Sequence, residues 1–360
     1  MSGKPLSDYQ VHRFDEMKVA LSRSVKPQRK SLSWRRWIRP VIGLSVTILF
    51  AWLVLERLPL NELPQHLANL NGFYILSALL CLVLGYTARI LRWWRMLHAT
   101  APYLRLKDTA APFLIGIAAN NVLPLRAGDI LRLFAFHDRP GLEPSRIGGT
   151  LIVERLLDLL VLLFILMIVL PTVPVGDQTL LSHLSVWTAI LGLIGLVGLF
   201  CLPMVRRFVL VPLQRSLRLQ QSTLALKLLN IGFDITDTII SLGNLRRLTE
   251  LVLLSSVAWL LEGGVFLSIA TAMEIQGGWA VAYTALAIAT LATLIPSSPG
   301  YIGTFHFFAM QAATFFGNLE AKAATFAIIV HLMLWLPTSM AGALAFLATS
   351  FKGSTSKIRL

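Results

Sequence analysis

The stretch "IPSSPGYIGTFHFF", residues 295–308, places two prolines, two glycines and two adjacent serines within nine positions of a strongly apolar region. A lipid-facing helix avoids such a run, because an interrupted backbone leaves amides and carbonyls without partners. Broken backbone is tolerated at membrane depth only where it is buried in protein or lines a wet cavity. The stretch therefore reads as the tip of a helical hairpin, and the rest of the chain has to supply the walls around it.

The composition fits that setting. Of 360 residues, 56% are hydrophobic and 14% charged, against about 25% charged in a soluble domain. Apolar runs at Val41–Leu55, Phe73–Leu91, Leu151–Leu170, Val186–Pro203, Leu251–Ala272 and Ala323–Ser350 approach or exceed the roughly 20 residues that cross a bilayer. The net charge of +14 is unevenly spread. Of 32 Lys and Arg, ten lie in residues 1–40, five in Arg89–Lys107, five in Arg126–Arg155, seven in Arg206–Arg247 and three after Phe351. Segments 171–187 and 273–279 have none. Alternation of basic and non-basic loops is how cytoplasmic and outer faces are distinguished, so the excess reads as topology, with no nucleic acid as partner. Cys81 and Cys201 sit in apolar runs and read as core residues, with neither a disulfide nor a metal site. Trp93, Trp94, Trp187 and Trp279, among others, fall near helix ends as an interfacial aromatic belt does.

Threading the chain with both termini inside gives crossings at about 41–55, 73–92, 150–170, 186–204, 251–272 and 322–350. The expected domains are a basic cytoplasmic tail (1–36), a transmembrane domain (37–350) and a cytoplasmic tail (351–360). Residues 205–250 form a cytoplasmic segment, and an interfacial amphipathic helix is expected within it at 222–245, from Leu224, Leu228, Ile231, Ile235 and Ile239 at 3–4 spacing. Thr109–Leu123 would rise only about 22 Å as a helix, short of the roughly 30 Å core. It is followed by the charged Leu125–Phe136, so a re-entrant hairpin broken at Asn120–Gly128 is expected. The fold class is thus all-α, a polytopic membrane bundle of six crossings and two broken hairpins, or eight spans if 279–317 crosses fully. Interrupted helices in corresponding positions of two halves are the best sequence pointer to a transport site.

Four motifs carry the candidate site. "RILRWWRML" supplies Arg89 and Arg92. "NNVLPLRAGDILR" supplies Asn120, Asn121, Arg126, Gly128, Asp129 and Arg132, with an arginine beside a helix N-terminus suited to an anion. "VERLLDLL" supplies Glu154, Arg155 and Asp158, the two carboxylates sharing one face at i, i+4. "PSSPGYIGTFHFF" supplies Ser297, Ser298, Gly300 and Thr304, whose hydroxyls and amides suit a phosphate. Charged groups inside a span are costly and are expected to have partners. Glu262, His306 and His331 are the remaining intramembrane ionisable groups and are candidates for proton coupling. There is no Walker loop, zinc motif or nucleophile elbow, so neither a catalytic residue nor a cofactor is expected.

These four motifs, in this order over about residues 40–350, resemble the membrane region of lysylphosphatidylglycerol synthases, a family also described as flippase-like. In the full synthases a C-terminal cytoplasmic domain attaches lysine to phosphatidylglycerol, and the membrane region is thought to move the product. This chain stops about ten residues after its last apolar run, so the resemblance implies a stand-alone inner-membrane lipid translocator and not an enzyme. Related stand-alone proteins are linked to hopanoid, glycolipid and polyprenyl-phosphate pathways. The expected partner is an anionic lipid held by Arg126, Arg132 and Arg92, with Glu154 and Asp158 positioning them; a homo-oligomer is compatible with this. Two rival readings are a membrane transferase with Glu154 or Asp129 as base, and a non-catalytic subunit of a lipid-biosynthesis complex.

Overall fold

A computed structural model describes residues 71–123, 126–136, 138–174, 206–215, 223–295 and 298–356, with a few isolated positions elsewhere, all within the unit Gly43–Leu360. The expected tail 1–36, the crossing at 41–55, most of that at 186–204, Cys201 and Ser297 lie outside the described residues.

Every described element is helical. They are α1 (Gly72–His98), α2 (Leu106–Val122), α3 (Ala127–Phe134), α4 (Pro144–Val169), α5 (Val211–Arg215), α6 (Thr223–Leu242), α7 (Leu245–Ala272), α8 (Gly278–Ala292), α9 (Thr304–Thr314) and α10 (Glu320–Ser356). Local chemistry sets their starts. Asn71 and Asn244 cap α1 and α7, their side chains accepting from Phe73 N (2.9 Å) and Arg246 N (3.1 Å). Pro144 opens α4, where its missing N–H costs nothing. Three helices are long and apolar enough to cross a membrane: Gly72–His98, Leu245–Ala272 and Glu320–Ser350. The segment expected to cross at 150–170 is a continuous helix, α4, which carries Glu154, Arg155 and Asp158 and is not one of those three.

Both expected hairpins are present as helix pairs. α2 and α3 fold against each other, as do α8 and α9. The first closes because it has no side chains at its crossing point. A Cβ added to Gly128 would lie 1.8 Å from the Gly116 carbonyl, and one added to Gly116 would lie 2.6 Å from Arg132 Cγ. Small residues let helices approach this closely. The same device seats α2 on α10, where a Cβ on Gly342 would meet Ala118 Cβ at 2.3 Å. The main core joins α1, α4, α7, α8, α9 and α10 around Phe266, Phe326 and a run of buried alanines, among them Ala282, Ala285, Ala289, Ala309 and Ala313.

Two expectations about faces need correction. Trp93 is not part of an interfacial belt. It is fully buried between Phe113 and Phe136, with ring centroids 5.9 Å from each, because its position on α1 points at the first hairpin. In α6 the apolar stripe does not stay on one surface. Ile239, Leu229 and Leu242 are buried, whereas Leu224, Leu228 and Ile231 are exposed. α6 packs on α4, and Thr238 fills the space over Gly149, so contact with protein claims a face that runs from Leu229 to Leu242 and leaves Leu224, Leu228 and Ile231 outside it.

Candidate functional site

The charged motifs converge at the centre of the bundle in two layers. The inner layer is sealed. Arg132 on α3 donates to both oxygens of Glu154 on α4, at 3.0 and 2.7 Å. Its guanidinium lies 4.3 Å from the Trp93 ring and 4.7 Å from that of Phe113. Arg92 on α1 donates to Asp158 at 2.6 Å and to Ser255 on α7 at 2.7 Å. Trp259 donates to the same Asp158 oxygen at 2.9 Å. Arg92 and Arg132 are 1% and 0% exposed, which leaves no face of either for a ligand. Two positive and two negative groups cancel here, and each is bonded, which makes burial of four charges affordable.

The outer layer faces a cavity of about 180 Å³. Arg155, on the turn of α4 between Glu154 and Asp158, donates to Asp129 at 3.2 Å. Asp129 is held from its other side by Asn120 at 3.1 Å, and Asn120 accepts in return from the Asp129 backbone at 3.2 Å. Arg89 donates to Glu262, and its guanidinium lies 4.2 Å over the Trp259 ring. Each of these cations has a carboxylate.

Arg126 differs. It caps α3 in the left-handed region, φ +53, a conformation that costs an L-residue about 1–2 kcal/mol. That turn aims its side chain across the cavity at the second hairpin. Its Nε donates to the Tyr301 hydroxyl at 3.0 Å, and its Nη2 to the Thr293 carbonyl at 3.4 Å. No carboxylate pairs with it among the described residues. Tyr301 itself sits at φ +57 between Gly300 (φ +69) and Gly303 (φ +86). The two interruptions therefore meet tip to tip, each strained. Asn121 completes the join by donating to Thr338 (3.0 Å) and Ser339 (2.9 Å) on α10, while Trp335 Nε1 donates to the Asn121 carbonyl.

The family described as lysylphosphatidylglycerol synthase TM region matches residues 40–342. The chain belongs to this family. It is accordingly a membrane protein, in agreement with its three long apolar helices. No curated protein and no solved structure matches it.

For this member of the lysylphosphatidylglycerol synthase TM-region family, the sequence motifs sort cleanly by depth. Asn120, Asn121, Arg126, Arg155, Glu262, Gly300 and His331 line the cavity. Arg92, Arg132, Glu154 and Asp158 form the buried layer behind it. Gly128 is packing, Asp129 and Arg89 hold cavity-wall partners, and Ser298 bonds within its own turn, its hydroxyl 3.3 Å from the Pro299 carbonyl. The Thr304 hydroxyl is buried with no hydrogen-bond partner among the described residues. His306 lies 2.7 Å from His331. Tyr86, Thr293, Trp335 and Thr338 were not expected, and Tyr301, whose amide the motif offers, contributes its hydroxyl instead. Two had a signal: "WLPTS" puts Trp335, Thr338 and Ser339 at i, i+3, i+4 on one face of an apolar helix. Ser255, Trp259 and Glu262 repeat the pattern at i, i+4, i+7 on α7.

Proposed function

We propose that this protein translocates an anionic lipid, such as a phospholipid, glycolipid or polyprenyl phosphate, through the cavity between its two hairpins. The observation that carries this reading is Arg126. In a neighbourhood where each other cation has a carboxylate partner, its partners among the described residues are the hydroxyl and ring of Tyr301 and the Thr293 carbonyl. A lone Arg at membrane depth costs at least about 2.5–3.5 kcal/mol, so a site that keeps one is suited to an anion that comes and goes. A headgroup phosphate takes the place of Tyr301 on the guanidinium, with tails left in lipid. Arg155 and Asn120 border the same space, while Arg92, Arg132, Glu154 and Asp158 fix the frame and do not touch the ligand.

In this reading both hairpins are re-entrant, six segments cross, and both termini are cytoplasmic in the inner membrane. The absence of a catalytic step is supported by the state of the two candidate bases. Glu154 is locked to Arg132 and Asp129 to Arg155 and Asn120, so neither is free to take a proton from a substrate.

The test is reconstitution into vesicles with fluorescent phosphatidylglycerol, following transbilayer movement by quenching of the outer leaflet. Arg126→Ala is expected to slow movement about 10- to 100-fold, the equivalent of about 1.5–3 kcal/mol for a lost charged hydrogen bond, with an unchanged melting temperature. Equal rates in both proteins would remove the role of Arg126.

A further inference from the structure

The second interruption is tied down by a pair of histidines. Within the turn, the Gly303 N–H donates to His306 Nδ1 at 3.2 Å. A neutral His306 that accepts there carries its proton on Nε2, which lies 2.7 Å from His331 Nδ1 on α10. His331 is therefore the acceptor in that contact and keeps its own proton on Nε2. The Phe305 ring stacks on His331 with centroids 4.9 Å apart, which fixes the imidazole plane. Two N–H groups and two acceptor nitrogens are fully matched.

A third proton has no place in this arrangement. On His306 Nδ1 it would confront the Gly303 N–H. On His331 Nδ1 it would confront His306 Nε2–H, and moving that proton to Nδ1 restores the first conflict. Every protonated state of the pair breaks either the tie between the rings or the tie to Gly303. The backbone it releases is Gly300–Gly303, where Tyr301 is held at φ +57 and grips Arg126.

We propose that His306 and His331 form a proton-binding site whose occupation frees the Gly300–Gly303 turn and detaches Tyr301 from Arg126. The consequence for lipid movement rests on the reading given above; the proton site does not. The other titratable and charged groups on the shared cavity are Tyr86 from α1, Arg126, Arg155 from α4, Glu262 from α7 and Tyr301. Glu262 is neutralised by Arg89 and Arg155 by Asp129, and Arg126, a fixed cation, does not titrate in this range, so among the described residues the histidine pair is the titratable group there that can take up a proton without first losing an ion pair. Proton uptake accompanies the open state, so opening increases as pH falls.

The experiment places a single cysteine at Thr290, on the cavity wall, in the full-length protein with Cys81 and Cys201 replaced by alanine. Its labelling by a membrane-impermeant maleimide is followed from about pH 8 to pH 4, a range spanning the ordinary imidazole pKa of about 6.5. Rates are divided by those of the same protein carrying His331→Gln at each pH, which cancels the thiol's own titration. One coupled proton predicts a ratio that rises by up to about tenfold per pH unit on acidification and then levels. His306→Gln in place of His331→Gln is expected to give the same curve. A ratio flat across the range overturns the proposal, as does a rise that persists when both histidines are glutamine. Vesicle assays separate the two readings. A rising ratio without lipid movement keeps the proton site and removes the translocator, and lipid movement with a flat ratio does the reverse.

Discussion

Glu154→Ala is expected to destabilise the protein by about 3–5 kcal/mol, because it strands Arg132 as a buried charge without its counter-ion. Arg132 has no route to water: it is 0% exposed and sandwiched against Trp93 and Phe113. The next carboxylates are poorly placed to substitute. Asp129 approaches Arg132 only to 3.8 Å and is engaged by Arg155 and Asn120, while Asp158 is shared by Arg92 and Trp259. The loss is read as a fall in melting midpoint in mild detergent, by roughly 10 °C on the scale of soluble domains. Glu154→Gln keeps the shape and one acceptor, so its fall is smaller. The decisive comparison is the pair Glu154→Leu with Arg132→Met, which removes both charges at once. Burial of an ion pair offers little net stability over an apolar pair of similar volume, so the double variant is expected to melt higher than Glu154→Ala alone. If it melts lower by the sum of the two single effects, the pair is not coupled and the sealed inner layer is misread.

Much of this arrangement was legible before the structure, and what was missed has a physical cause. "PSSPG" and "NNVLPLRAGD" announce backbone breaks through their own chemistry, since proline and glycine act locally. Glu154 and Asp158 at i, i+4 announce a shared face. What local pattern cannot supply is depth along the viewing direction. Arg92, Arg126 and Arg132 look alike in sequence, yet two are enclosed and one faces the cavity. The difference arises from Gly116, which admits Arg132 against α2, and from the left-handed turn at Arg126, which swings that residue to the opposite side of α3's start. Neither Arg126's φ nor the partner across the cavity, Tyr301, follows from spacing. The aromatic belt failed similarly at Trp93, because nearness to a helix end does not say which face meets protein.

Gly128→Ala is expected to be among the most damaging single-methyl additions in the described bundle, costing about 3 kcal/mol or more, at and beyond the upper end of ordinary overpacking. The new Cβ falls 1.8 Å from the Gly116 carbonyl and 2.7 Å from the Asn120 side-chain oxygen. Backbone and not a flexible side chain stands in the way, so the arms of the first hairpin have to separate. Separation breaks the two-way Asn120–Asp129 contact, and through α3 it also moves Arg126 and Arg132. Gly116→Ala meets the Cγ of Arg132 at 2.6 Å and the Gly128 carbonyl only at 3.2 Å, a smaller overlap with backbone than the 1.8 Å at Gly128, so its cost is lower. Gly148→Ala, in α4, finds only Leu133 Cδ2 at an ordinary 3.5 Å, and alanine is favoured over glycine within a helix by about 1 kcal/mol. The melting midpoints should therefore rank Gly148→Ala at or above the parent, then Gly116→Ala, then Gly128→Ala. A Gly128→Ala protein that melts with the parent and still moves lipid would mean that the hairpin arms are not in contact there. The tip-to-tip meeting of Arg126 and Tyr301 would then lose the scaffold that positions it.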